Sequence, residues 1–220
     1  MAFVLTYQTL TDTLIAYLER QDARLIENIP VFIMLGQRRV TRDLKILNIK
    51  KFVTGSLVTD SYVTASGSVL LAKPGDWLQT AYFNIGVTNT DGSISQVQLQ
   101  MRLNEYLDSY WPIATNTGQP KYIADYEFQT FKIVPTPDND YPYTLGYYAL
   151  PPLLDDTNGV NILTSTIPEA LEYACLLETA TFVKDDERVP VWTDYYNKAA
   201  QAITKEDLER IQVGYTNYNH

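Results

Sequence analysis

Catalytic chemistry needs particular side chains, and this chain of 220 residues holds few of them. Its single histidine is His220 and its single cysteine is Cys175. An acyl-transfer relay holds an imidazole between a nucleophile and an orienting group, and a zinc site gathers several imidazoles or thiolates. One of each, at these positions, builds neither in its ordinary form. No glycine-rich loop runs into Lys-Ser or Lys-Thr and no Gly-x-Gly-x-x-Gly occurs, so the phosphate-cradling loops are missing. Cys175 has no internal disulfide partner and falls on a predicted buried helix face, as a small core residue would. Two carboxylate pairs remain: Asp138 with Asp140, and Asp155 with Asp156. A calcium loop needs further ligands, a glycine and a distal glutamate at fixed offsets, and PTPDNDYPY supplies none of these after Asp140. These pairs read as turn formers. Two remote carboxylates could serve glycoside hydrolysis, but no local pattern marks such a pair. The expectation is a protein without catalytic residues, cofactor or metal.

The charges are more informative than the nucleophiles. Between Arg20 and Lys51 stand eight bases, Arg20, Arg24, Arg38, Arg39, Arg42, Lys45, Lys50 and Lys51, against the three acids Asp22, Glu27 and Asp43. That local excess of positive charge sits in a chain of net charge −9. One reading is a solvated helix face that balances acids elsewhere in the fold. The other is a face turned toward DNA in a channel or toward an acidic neighbour. The net charge opposes non-specific binding to nucleic acid and to an anionic membrane. Asp185, Asp186 and Glu187 form an acidic run beside Arg188. Opposite patches on one chain can meet between copies, because head-to-tail contacts join different surfaces. The candidate interaction residues are therefore Arg38, Arg39, Arg42, Lys45, Asp185, Asp186 and Arg188, with Tyr215 and Tyr218 near the C-terminus. Tyrosine is abundant, at 17 residues, and suits either an extended contact surface or plain sheet covering.

The elements that must carry these residues follow from periodicity. Leu10, Leu14 and Leu18 repeat at helical spacing, with Thr9 and Asp12 as a weak start signal. Asp22 opens a short piece, and Pro30 is expected in the first turn of a longer helix, unless one helix kinks there. Ile33, Gln37, Val40, Leu44 and Leu47 outline its buried face, Gln37 being the one polar member. From Ile49 the period shortens. Strands are expected at 51–54, 68–71, 78–87 and 94–99, with Asp91-Gly92 as the hairpin turn between the last two. A short helix at 103–110 stops before Pro112. Strands follow at 122–126, 130–134 and 143–148. Thr166 and Glu169 read as a capping box for a helix to about Lys184. A second helix shows Trp192, Tyr195, Ala199 and Ile203 at helical spacing. The two should pack as a hairpin. The N-terminal MAFVLTYQTLTDTL lacks a basic region and a long apolar run, so no signal peptide is expected. No apolar run approaches the ~20 residues that span a bilayer.

The layout is α+β: a bundle of N- and C-terminal helices (residues 1–48 and 160–211), a central antiparallel β lobe (49–159) and an extended C-terminal tail (212–220).

The order of several short motifs resembles the head-to-tail adaptor (connector) family of tailed bacteriophages. PVFIMLGQRRVTRDL, from Pro30 to Leu44, is similar to that family's N-terminal helix. In LAKPGDWLQT, Pro74, Asp76 and Trp77 resemble its strand entry. Gly118-Gln119-Pro120-Lys121-Tyr122-Ile123 is similar to its Gly-x-Pro-x-Tyr strand start. Phe131 to Tyr148 resembles its strand, Pro-x-Pro-Asp, strand, Tyr-Tyr element. The helical hairpin with Asp185-Asp186-Glu187-Arg188, Trp192 and Tyr196 is the most distinctive part. The resemblance spans Pro30 to Ile203. Gly36 departs from it where alanine is usual, and Lys73 where an apolar residue is common.

The resemblance implies a structural virion protein without enzyme activity. It would be made in the host cytoplasm and placed in the neck. It would form a homo-oligomeric ring, commonly of twelve copies, between the portal protein and the tail tube or nozzle. Double-stranded DNA would pass through the lumen without sequence-specific contact. The helical lobe would meet the portal, and the polar tail from Gln212 could order on docking. The alternatives are another neck or tail ring, or a glycan-binding or hydrolytic tail β-domain whose tyrosines and Trp77 stack sugars.

Overall fold

A computed structural model of the protein describes residues 5–45, 49–63, 69–113, 115–184 and 187–216. The elements run α1 (Tyr7–Leu18), α2 (Ala23–Asp43), β1 (Lys50–Ser56), α3 (Leu57–Asp60), β2 (Ser61–Val63), β3 (Val69–Ala72), β4 (Trp77–Thr88), β5 (Ile94–Gln98), β6 (Gln100–Met101), α4 (Asn104–Tyr110), β7 (Tyr122–Glu127), β8 (Thr130–Val134), β9 (Pro142–Ala149), α5 (Ile162–Thr166), α6 (Pro168–Val183) and α7 (Val189–Thr216). The fold is α+β. The chain divides into a helical unit, Met1–Ile49 with Leu150–His220, and a β unit, Lys50–Ala149.

In the helical unit the first turns differ from expectation in instructive ways. Thr6, not Thr9, caps α1, and Thr9 returns the bond to the Thr6 backbone, closing a capping box. Leu10, Leu14 and Leu18 are buried as their spacing requires. Asp22 caps α2 by accepting from the Leu25 amide at 3.1 Å. The helix then runs unbroken through Pro30, so there is no second start. Pro30 and Ile26, whose carbonyl loses its donor, are both exposed, so water can replace the missing bond. Thr166 and Glu169 form no capping box. Pro168 is the first residue of α6, which makes Ile167 its cap, and the box forms one helix earlier, between Asn161 and Thr164 of α5.

The buried amide of Gln37 has a specific task. It donates to the Pro152 carbonyl at 2.8 Å and accepts from the Leu154 amide at 3.2 Å, fastening the segment after β9 to α2. Against α6, α2 presents Gly36 to Cys175. α7 packs on α6 through Trp192, Tyr196 and Ala199. Tyr195, expected inside, is 47% exposed and stacks on Tyr173 at 5.1 Å. The inward stripe is 192, 196, 199, one position round from the expected one. Helix α7 continues to Thr216, so the extended tail expected from Gln212 is helical in its first half. After Pro190 in its first turn no proline follows, and its one glycine, Gly214, costs only about 1 kcal/mol relative to alanine. Residues 217–220 lie outside the described residues.

The β unit holds two sheets, ordered β1-β9-β4-β5 and β2-β3-β8-β7-β6. All neighbours are antiparallel except β6 and β7, which are parallel. Phe83, Ile85, Leu145 and Tyr147 from the first sheet share one core with Leu71, Ile123, Phe131 and Ile133 from the second. Alternation along β4 and β9 sends these residues to one face. Gly92 turns the β4–β5 hairpin at φ 80°, as Asp91-Gly92 signals. Helix α4 covers the outer face of β7 and β8 through Leu107, Ala124 and Val134. The short elements α3, β2 and β6 have no periodicity of their own in the sequence.

Candidate interaction surfaces

The potentially reactive groups are engaged in packing and turns. Cys175 is fully buried, and burial, with Glu178 and Glu172 nearby, pushes its thiol well above the ordinary range. Asp138 accepts from the Tyr141 hydroxyl at 2.6 Å, and Asp140 from the Ser56 hydroxyl. Asp155 accepts from the Thr157 hydroxyl at 2.6 Å and from the Thr157 and Asn158 amides at 2.7 Å, which holds its carboxyl below the usual range. Among the described residues no three potential metal ligands are gathered.

The eight bases divide between the two units. Lys50 and Lys51 lie on β1 of the β unit, and Lys51 pairs with Asp76 at 2.6 Å. Arg20 pairs with Asp22 at 3.0 Å. On α2, Arg39 leaves the row and pairs with Glu178 of α6 at 2.6 Å, at the rim of a groove of about 740 Å³ between α2, α6 and α7. In that groove Tyr196 donates to Asp43 at 2.7 Å; burial, then this bond, raises its pKa. Exposed ion pairs of this kind are worth about 0–1 kcal/mol each. Arg38, Arg42 and Lys45 stay exposed and, among the described residues, unpaired. They continue the row of Val31 and Leu35, which are 44% and 39% exposed. Positions 31, 35, 38 and 42 step by four, three and four, which is one stripe of α2, and Lys45 follows just past the helix end. The outer face of α2 is therefore apolar in its middle and basic toward its C-terminal end.

Arg188 donates to the Tyr17 carbonyl at 2.7 Å, tying the end of α1 to the start of α7. Asp185, Asp186 and Tyr218 lie outside the described residues, and Tyr215 falls in α7.

The feature that residue types alone did not mark is the β7–β8 hairpin. A lysine clamps each of its faces. Lys73 is only 3% exposed at its side chain; its ammonium pairs with Asp125, bonds the Glu127 carbonyl at 2.6 Å and lies 4.2 Å from the Trp77 ring centroid. On the other face Lys132 pairs with Asp108 of α4 and lies 5.3 Å from the Tyr126 ring centroid. Cation–ring contacts and full pairing are what make a buried ammonium tolerable. The tip of this clamped hairpin is Phe128, 91% exposed. The departure at Lys73 thus has a structural reason. Trp77 packs edge-on against Phe131 at 5.8 Å and donates to Thr80 at 3.1 Å, so its ring serves the core.

A family model for the SU10 adaptor protein matches residues 5–217. The chain belongs to that family: it is a structural adaptor protein of a bacteriophage. No curated protein matches it. Among the described residues no helix is long and apolar enough to cross a membrane.

Proposed function

We propose that the protein is one subunit of a head-to-tail adaptor ring in the virion neck, joining the portal protein to the tail tube or nozzle. The ring has twelve copies in this reading, and genomic DNA passes through its lumen without base-specific contacts. The helical unit meets the portal, and the β unit or a terminus meets the tail. The work is done by shape and contact area and not by catalysis; ring closure multiplies weak contacts. The observation that carries the reading is the family match, which runs through both units, over residues 5–217. The net charge of −9 favours a monomer in free solution, because copies repel one another until a template gathers them.

The test is electron microscopy of the purified protein mixed with purified portal rings. A second ring of density on one end of the portal is expected, together with a sedimentation coefficient that rises only when portal is present. Portal particles that stay bare at micromolar adaptor would overturn the proposal. So would turnover of a glycan by defined side chains of the protein.

A further inference from the structure

The clamped hairpin tip and the outer stripe of α2 are opposite in charge, and each carries exposed apolar side chains. The tip is a single aromatic knob, Phe128, whose preceding residue is the exposed carboxylate Glu127. The stripe offers two exposed aliphatic side chains, Val31 and Leu35, followed by the cations Arg38 and Arg42, which have no partner among the described residues. Neither surface matches itself: a knob cannot seat on a knob, and a basic stripe repels a basic stripe. Two different surfaces that fit each other on one chain define a heterologous contact, the kind that repeats from copy to copy until it closes.

The tip is also prepared before any partner arrives. Lys73 bonds the Glu127 carbonyl at 2.6 Å, and its own backbone amide bonds the Gln129 carbonyl at 2.8 Å. A buried ammonium is a costly way to fill space, since an apolar side chain of like length would pack as well. What the ammonium adds is a fixed carbonyl just before Phe128, at Glu127, beside the Gln129 carbonyl that the Lys73 backbone already holds. A rigid aromatic anchor loses little freedom on binding, which is how a few interface residues come to dominate affinity.

We propose that Phe128 of one copy seats on α2 of the next copy, between Val31 and Leu35, with Glu127 facing Arg38 and Arg42. This rests on the ring reading and names the subunit contact within it. The contact is one anchor of a larger interface.

The test uses the full chain assembled on portal. A chain carrying both Phe128→Cys and Leu35→Cys should, on mild oxidation, give a ladder of disulfide-linked oligomers on a non-reducing gel; Cys175, buried, stays out of the reaction. Phe128→Ala should fold normally and need at least about tenfold more protein to assemble, corresponding to about 1.4 kcal/mol or more per contact. Glu127→Lys should weaken assembly, and Arg38→Glu combined with it should restore it. Rings that form without any ladder, or equally well with Phe128→Ala, would overturn this contact and leave the ring reading standing. Cross-linking of Phe128→Cys to the portal or the tail protein in place of a second copy would also overturn it. If the wild-type chain forms no ring with portal, the ring reading fails first and this contact with it.

Discussion

Gly36 on α2 and Cys175 on α6 meet with no room for a side chain between them. A methyl carbon on Gly36 would lie 2.6 Å from the Cys175 Sγ, 2.7 Å from its amide nitrogen and 2.8 Å from its Cα. Alanine is favoured over glycine inside a helix by about 1 kcal/mol, but overpacking a core costs about 1–3 kcal/mol. Two of the three crowded atoms are backbone, so α2 and α6 must part. Gly36→Ala is therefore expected to lower stability by up to about 2 kcal/mol net in urea unfolding. Adding Cys175→Ala removes only the sulfur and should recover less than half of the loss. A stabilised Gly36→Ala protein would refute the close approach.

Tyr147 on β9 donates to Asp76 at 2.8 Å. Burial, then the bond to Asp76 and its charge, push the Tyr147 hydroxyl up to about 12. A tyrosine in the unfolded chain titrates near ~10. A folded pKa above the unfolded one adds stability that is whole below the unfolded value and fades as pH climbs toward the folded one. Tyr147→Phe should therefore be less stable at neutral pH by about 1 kcal/mol. The gap to the wild type should narrow between pH ~10 and ~12. A gap independent of pH in that window would sink the assignment.

Lys73 sets the tip of the β7–β8 hairpin more than it supports the fold. Lys73→Met keeps the packing against Trp77 and Phe131 and leaves Asp125, half exposed, to water. Global stability should change by less than about 1.5 kcal/mol. Chymotrypsin should nevertheless cut after Phe128 several-fold faster, because the tip opens locally. Equal cleavage rates would mean that the lysine does not order the tip.

Phe83 and Phe128 are the same residue type in opposite settings. Phe83 is fully buried and stacks on Tyr143 at 5.1 Å, so Phe83→Ala should cost about 3–5 kcal/mol. Phe128 is almost wholly exposed, so Phe128→Ala should leave the free protein within about 0.5 kcal/mol of the wild type. Denaturant midpoints of the two variants check both values. A large loss from Phe128→Ala would place its ring in the fold and not at its surface.

Much of the architecture was legible from local pattern. The leucines of α1, the alternation of β4 and β9 and the Asp91-Gly92 turn act over a few residues, and neighbours in sequence supply the physics. Short elements were not legible: two or three residues such as β6 cannot show a period, and only the sheet beside them creates the element. The caps at Thr9 and Thr166 were not legible, because another side-chain acceptor stands nearby, Thr6 in one case and Asn161 in the other, and a cap depends on where the backbone enters the helix. The interaction residues fared unevenly. The bases of α2 stand out by type, but that Arg39 pairs with Glu178 while Arg38 and Arg42 find no partner among the described residues follows from rotation about the helix against α6.

The sequence alone determined the kinds and order of the longer elements and the scarcity of reactive side chains, since each of these is a property of neighbouring residues or of composition. Tertiary structure decided who meets whom. Gln37 reaches Pro152 and Leu154, Gly36 admits Cys175, and Lys73 holds the strand that ends just before Phe128. Those partners lie tens to more than a hundred residues apart in the chain. Their contact depends on packing that no short window of sequence contains, because burial and charge pairing are settled only when distant faces close on one another.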